Sequence, residues 1–199
     1  MRAQEAKRDF YRQLAKKMGF RSRAAFKLIQ INQKYRVIKP GDVVVDFGCA
    51  PGGWLQVASK AVGKDGFVLG IDLKRVEGIE GNVSTIVADV MNGDIDKMVL
   101  SKLPRMADVV LSDLAPKVSG VWELDHIKQI DLTRRVVSIL PQILRRGGSA
   151  ILKVFEGEMF NDIVKEVEKV FKVVRIIKPK ASRSKSSEVY LLCTDFRGY

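Results

Sequence analysis

The stretch GDVVVDFGCAPGGW, residues 41–54, has the residue types and spacing of a ligand-binding loop. Its β-branched run at 43–45 predicts a parallel strand covered on both faces. Gly48, Gly52 and Gly53 follow, and the loop after the first strand is where α/β sheets bind nucleotide-like ligands. Glycines there let the backbone approach a ligand closely. The spacing differs from the dinucleotide fingerprint and the P-loop, which disfavours an oxidoreductase or a phosphate-cradling NTPase.

Two more carboxylates stand where a bound nucleoside needs them. Asp72 ends the second predicted strand about 20 residues after the loop, where a carboxylate accepts hydrogen bonds from both ribose hydroxyls of an adenosine. Asp89 follows the third strand, within reach of the adenine amino group. Either acid alone could instead cap the next helix. Together with Asp46, which ends the first strand, Asp72 and Asp89 form an ordered set of three acids that indicates an adenosine-containing ligand.

A lysine and an aspartate lie near the carboxyl ends of two later strands. Asp113 follows the apolar run at 107–111, and Lys153 lies within AILKVF, residues 150–155. A buried lysine is costly unless it has polar partners. Because an α/β enzyme assembles its site at this edge of the sheet, both residues are candidates for catalysis.

Strand and helix patterns alternate after Pro40-Gly41, which predicts an α/β fold. The longest helix is predicted from about residue 126 to 145, with Gly147-Gly148 ending it in the manner of a C-cap. No helix separates the last two strands, so the final strand is expected to pair antiparallel. The seven predicted strands cover residues 43–45, 67–71, 85–88, 107–111, 149–154, 172–177 and 189–194.

The positive charge is concentrated in two segments. The chain has a net charge of +12, and residues 1–39 hold 12 Lys and Arg against two acids. Residues 172–185 hold six more bases and no acid, whereas residues 40–171 carry 16 bases and 19 acids. Two basic segments flanking a slightly acidic body favour a polyanionic partner. Residues 1–39, with two amphipathic helical patterns, are interpreted as a basic helical extension, and residues 40–199 as the catalytic domain.

Composition argues against several other classes of protein. No apolar run approaches the roughly 18 residues that cross a bilayer, so no membrane role is expected. Two cysteines make no disulfide framework, which favours the cytoplasm. One histidine and no CxxC pair argue against a metal site.

Seven motifs, in order, resemble the FtsJ/RrmJ-type family of ribosomal RNA ribose 2′-O-methyltransferases. The resemblance extends from about Ser22 to Leu192, and Cys49 is a local departure from a commoner alanine. It implies a Rossmann-like, S-adenosylmethionine-dependent methyltransferase fold with a mostly parallel seven-stranded sheet, an antiparallel last strand and helices on both faces. The motifs are SRAAFKL (22–28), DFGCAPGGW (46–54), GIDL (70–73), VADV (87–90), SDLAP (112–116), LKVFEG (152–157) and SSEVYLL (186–192).

Matching motif by motif, the family's catalytic Lys-Asp-Lys-Glu tetrad falls on Lys27, Asp113, Lys153 and Glu188. The methyl donor implied is S-adenosyl-L-methionine, with no metal. The residues expected to contact it are Gly48, Gly52, Gly53, Trp54, Asp72, Asp89 and Asp113.

The role of Lys153 has two interpretations. A ribose 2′-hydroxyl must lose its proton as it takes the methyl group, and only a neutral lysine can accept that proton. Desolvation and Lys27 favour the neutral amine, whereas Asp113 and Glu188 favour the ammonium form. Lys153 is therefore either the base or a charged group that orients the hydroxyl, and the resemblance favours the base.

The resemblance implies 2′-O-methylation of a uridine in the A-loop of large-subunit (23S) rRNA, within the assembled 50S subunit, by a monomer. A tRNA anticodon-loop enzyme of the same family is the alternative substrate reading, and a non-catalytic RNA-binding module is the alternative to an enzyme. A base methyltransferase is disfavoured, because Asp113-Leu114-Ala115-Pro116 lacks the signature of amino-group enzymes.

Overall fold

The computed structural model describes residues 2–183 and 186–198, which contain seven strands and six helices. The strands are β1 Val43–Phe47, β2 Phe67–Asp72, β3 Val83–Val87, β4 Ala107–Ser112, β5 Leu144–Phe155, β6 Phe171–Ile177 and β7 Glu188–Phe196. The helices are α1 Arg2–Lys17, α2 Ala25–Tyr35, α3 Gly53–Val62, α4 Ile95–Leu100, α5 Trp122–Ile143 and α6 Phe160–Val170.

The strands form one sheet in the order β3-β2-β1-β4-β5-β7-β6. Strands β1 to β5 pair in parallel, and β7 lies antiparallel between β5 and β6. The predicted α/β architecture and the antiparallel final strand are confirmed. Because β7 runs against its neighbours, its first residues lie at the same edge as the carboxyl ends of β1 to β5.

Helices cover both faces of the sheet and bury alternate residues of each strand. Val45 packs in a core with Ile130 of α5 and Ile163 of α6, whereas Val44 packs on the other face with Leu28 of α2 and Leu55 of α3. This alternation follows from the two-residue period of a strand. Within the described ranges, no helix is both long and apolar enough to span a membrane.

The predicted C-cap at Gly147-Gly148 is wrong. Helix α5 ends at Ile143, and Leu144 is already extended, with φ −101° and ψ 129°. Both glycines lie within β5, at the register shift where Ala107 pairs with Leu144 but Val109 pairs with Ser149. Gly147 has φ +73°, a conformation that glycine adopts readily and that here accompanies the register shift within β5 and not the end of a helix.

Candidate active site

The loop between β1 and α3 is shaped by glycines that neighbouring segments approach closely. Gly48 has φ +79°, and a Cβ there would lie 2.9 Å from the backbone nitrogen of Leu114. A Cβ on Gly53 would collide with the side chain of Ser22. The loop is therefore packed between the segment after β4 and the segment before α2, and residue types larger than glycine would separate them.

The predicted nucleoside acids lie at the carboxyl ends of neighbouring strands. The two carboxylate oxygens of Asp72 accept hydrogen bonds from the backbone N–H groups of Ala50 and Lys74, each at 2.9 Å. Asp89 is exposed and accepts one from the N–H of Met91 at 2.9 Å. Each carboxylate oxygen has a second lone pair, so both acids keep acceptor capacity for a ligand.

Asp46, the last acid of β1, is the most buried carboxyl group of this edge. It has no solvent exposure, and neither carboxylate oxygen has a hydrogen-bond partner. Burial first, and then the nearby carboxylates of Asp113 and Asp72, hold its pKa well above the usual range. A buried acid without partners beside the glycine loop is a polar group that a ligand could satisfy.

The four residues of the expected tetrad come together at the carboxyl edge of the sheet. Lys27 Nζ of α2 lies 2.6 Å from Glu188 Oε1 of β7. Lys153 Nζ of β5 lies 3.1 Å from Asp113 Oδ1 and donates to the Asp113 carbonyl at 2.7 Å. Both lysines are buried, with 8% and 6% of their surface exposed, so each positive charge is paired where water is largely excluded.

Tyr190 joins the two ion pairs and was missed by the sequence reasoning. Its hydroxyl accepts a hydrogen bond from Lys27 Nζ at 3.0 Å and donates one to Asp113 Oδ1 at 2.7 Å. Burial and the carboxylates of Asp113 and Glu188 raise the pKa of this phenol, which keeps it a neutral donor. The one signal in the sequence is its position two residues after Glu188, on the same face of the strand, which a packing residue would share.

Strand pairing and helix α5 fix the position of Lys153. Lys153 pairs with Tyr190, and Phe155 with Glu188, in the antiparallel β5–β7 ladder. From the α5 side, Gln129 Nε2 and Thr133 Oγ1 donate to the Lys153 carbonyl at 3.0 and 3.2 Å. The backbone of Lys153 is therefore held both by pairing with β7 and by hydrogen bonds from α5.

Trp54 and Gly52 stand at the N-terminus of α3. The indole of Trp54, expected to contact the methyl donor, is 3% exposed and donates to the Ala24 carbonyl at 2.8 Å. Its ring centroid lies 5.7 Å from that of Tyr190, so the indole packs between the glycine loop and the residues around Lys27 and Lys153. Gly52 has φ +108°, which favours glycine.

The basic segments border this site on the side of α2. Arg21 donates to the carbonyls of Pro51 and Gly78 at 3.3 and 2.7 Å, which ties the segment before α2 to the glycine loop. After β6, Ala181 N–H donates to Gln30 at 3.0 Å, and Ser182 Oγ donates to Glu188 at 3.1 Å. The loop at 178–187 is therefore tied to both α2 and β7. Its first part packs against α2, and residues 184 and 185 lie outside the described residues.

The sheet order, the glycine loop after β1 and the lysine–carboxylate centre define a methyltransferase of the Rossmann-like class. Residues 20–196 match the FtsJ-like methyltransferase family, and the chain belongs to that family. In the described part of the chain, no three His, Cys, Asp or Glu side chains form a group that could hold a metal ion.

Relatives named for ribosomal RNA match the chain over most of their length. The chain is 46% identical over 198 residues to Ribosomal RNA large subunit methyltransferase E of Methanocaldococcus jannaschii, covering 98% of this chain and 81% of that protein. It is 45% identical over 203 residues to the protein of that name from Nitrosopumilus maritimus, with 100% of both covered. A crystal structure described as a ribosomal RNA methyltransferase, from Plasmodium falciparum, superposes with a TM-score of 0.79 at 32% identity, covering 90% of this chain and 100% of that one.

Proposed function

We propose that this protein transfers the methyl group of S-adenosylmethionine to a ribose 2′-hydroxyl of RNA. The observation that carries the proposal is the buried chain of contacts from Glu188 through Lys27, Tyr190 and Asp113 to Lys153. Two paired lysines at the carboxyl edge of the sheet supply a proton acceptor and positive charge where a hydroxyl has to be oriented.

The residues around the glycine loop fit S-adenosylmethionine. Gly48, Gly52 and Gly53 form the loop after β1, where α/β sheets bind nucleotide-like ligands, and Asp72 has acceptor capacity for ribose hydroxyls. The unpartnered Asp46 carboxyl belongs to the residue two positions before Gly48, at the start of the same loop. Trp54 supports the loop, and Asp89 reaches the adenine end. When bound, S-adenosylmethionine supplies an electrophilic methyl group.

Within the centre, each residue has a distinct part. Lys153, in its neutral form, accepts the proton of the 2′-hydroxyl as the ribose oxygen takes the methyl group. Asp113 holds Lys153 through both its carboxylate and its carbonyl. Glu188 holds Lys27, whose positive charge stabilises the negative charge that develops on the ribose oxygen.

The names of the relatives support large-subunit ribosomal RNA as the substrate. We propose a uridine of the A-loop, methylated in the assembled 50S subunit, by a monomer that works in the cytoplasm. Two buried free cysteines, Cys49 and Cys193, agree with a reducing compartment. The basic residues before α2 and after β6 supply affinity for the phosphate backbone.

The test is methyl transfer from labelled S-adenosylmethionine to three separate preparations: 50S particles, extracted rRNA and tRNA. Digestion to nucleosides and mass spectrometry then locate the methyl group. We expect 2′-O-methyluridine from the 50S particles. Label on a base would refute the ribose assignment, label on tRNA alone would refute the ribosomal substrate, and RNA binding without transfer would indicate a non-catalytic module.

A further inference from the structure

Large apolar side chains are exposed between β4 and the first turn of α5. Val118, Val121 and Trp122 are 73%, 54% and 45% exposed. All three lie within nine residues of Asp113 along the chain. An apolar surface beside a catalytic edge marks a place where another molecule binds.

Trp122 lies on the side of α5 that faces the sheet, one helical turn before the first buried residue on that side. His126 and Gln129 stand four and seven residues later on the same side and are buried. The indole lies over Phe155, two residues after Lys153, with ring centroids 5.9 Å apart and planes 23° apart. It is also nearly parallel to the His126 ring, at 5.9 Å and 21°.

Hydrogen bonds fix the first turn of α5, from which Trp122 projects. The buried Asp125 carboxylate accepts from the N–H and hydroxyl of Ser119, at 2.8 and 2.7 Å, and from the N–H of Gly120 at 3.3 Å. His126 Nε2 accepts from the Met159 N–H at 3.2 Å. Gly157 passes so close to His126 that a Cβ there would lie 2.7 Å from the ring. Trp122 therefore projects from a fixed support.

We propose that Trp122, together with Phe155, is a platform on which a nucleobase of the RNA stacks next to the target ribose. The inference rests on the proposed function, because it requires an RNA strand at this edge of the sheet. An indole offers a flat surface that every base can stack on, whatever its sequence.

The charges around the platform favour a base over a phosphate. Lys117 is near in sequence, but two exposed acids, Glu123 and Glu156, directly follow the ring residues Trp122 and Phe155 along the chain. The loop after β6 contacts α2, where Ala181 N–H donates to Gln30, and its Lys178 Nζ lies 3.9 Å from Glu156. We infer that the phosphates follow the α2 side and that the strand turns a base toward Trp122.

The test compares two single-stranded probes of equal length, oligouridylate and an abasic ribose-phosphate oligomer. Trp122→Leu keeps an apolar side chain and removes the aromatic ring. We expect it to bind oligouridylate about 5- to 150-fold more weakly, the range of one base–aromatic stack, and to bind the abasic oligomer as the wild type does. Trp122→Phe should recover most of the loss.

Leu124→Ala is the matched control, because Leu124 is 42% exposed on the opposite side of α5. It should bind both probes as the wild type does. Oligouridylate should also quench the indole fluorescence of the wild type more than that of Trp122→Phe. Equal affinity of wild type and Trp122→Leu for oligouridylate would overturn the platform, and so would an equal loss for both probes, which indicates a structural role or a protein-docking surface.

Failure of the platform and failure of the proposed function give different results. If the wild type methylates no RNA but Trp122→Leu loses base-dependent binding, the platform stands and the activity is wrong. If Trp122→Leu methylates RNA with the wild-type KM and kcat, the activity stands and the platform is wrong.

Discussion

Replacing Tyr190 by Phe removes one oxygen and tests whether the proposed catalytic centre is one connected unit. The hydroxyl is the contact that joins the Lys27–Glu188 pair to the Asp113–Lys153 pair. The ring stays, so its packing against Trp54 is preserved. The variant therefore removes two hydrogen bonds to charged groups and leaves the apolar packing of β7 in place.

The expected loss follows from what each partner retains. A hydrogen bond to a charged group contributes about 1.5–3 kcal/mol, but Lys27 keeps Glu188 at 2.6 Å and Asp113 keeps Lys153 at 3.1 Å. Since neither charge is left alone, we expect about 2 kcal/mol in total, or about 4–8 °C in Tm for a chain of this size. Turnover should fall about 10- to 100-fold, because the orientation of Asp113 and Lys153 is then less restricted.

Thermal melting and methyl-transfer kinetics measure the two effects. Tyr11→Phe is the control, because its hydroxyl accepts a single hydrogen bond from the neutral amide of Gln30 at 3.1 Å, away from the centre. It should cost about 1 kcal/mol or less and leave turnover unchanged. Wild-type melting and turnover in Tyr190→Phe would refute the reasoning, since the bridge would then carry neither stability nor alignment.

Three further predictions concern proton transfer, the methyl donor and RNA. Lys153→Ala should abolish turnover while S-adenosylmethionine binding persists, and Lys153→Arg should be nearly as inactive, because guanidinium does not release its proton near neutral pH. A Lys153→Arg enzyme with wild-type turnover would leave only an orienting role. Asp72→Ala should weaken S-adenosylmethionine binding by about 1.5–3 kcal/mol in calorimetry, and unchanged affinity would refute the ribose contact. Replacing Lys180 and Arg183 by Ala should flatten the slope of log K for RNA against log salt by about 0.7–0.9 per lost phosphate contact, whereas Lys97→Ala on α4 should not, and an unaltered slope would place RNA elsewhere.

The sequence predicted the seven strands because each is a short apolar run bounded by polar or glycine-containing turns. It also predicted the location of the charged residues. Asp113 and Lys153 stand at the carboxyl ends of parallel strands, whereas Lys27 and Glu188 were identified only through the resemblance to the family. Charged residues at strand ends are conspicuous beside apolar runs, so their proximity in the fold follows from topology.

The residues that the sequence reasoning missed look like ordinary core residues. Tyr190 lies in VYLL, and nothing local separates a bridging phenol from an aromatic packing residue. Its role depends on pairing with Lys153 across β5 and β7, a contact between distant parts of the chain. The wrong helix end at Gly147-Gly148 has a similar cause, because a glycine pair fits both a C-cap and a strand irregularity.

The balance of charge separates the chemistry of this protein from its affinity for RNA. Lys27 and Lys153 are matched by Glu188 and Asp113, and the neutral Tyr190 joins them, so the centre adds no net positive charge. The excess that makes the chain +12 lies outside it, in residues 1–39 other than Lys27 and in residues 172–185. Salt screens exposed charges far more than buried pairs. RNA affinity should therefore fall steeply with salt while turnover at saturating RNA hardly changes, which is the behaviour of a site whose binding and reacting charges are carried by different residues.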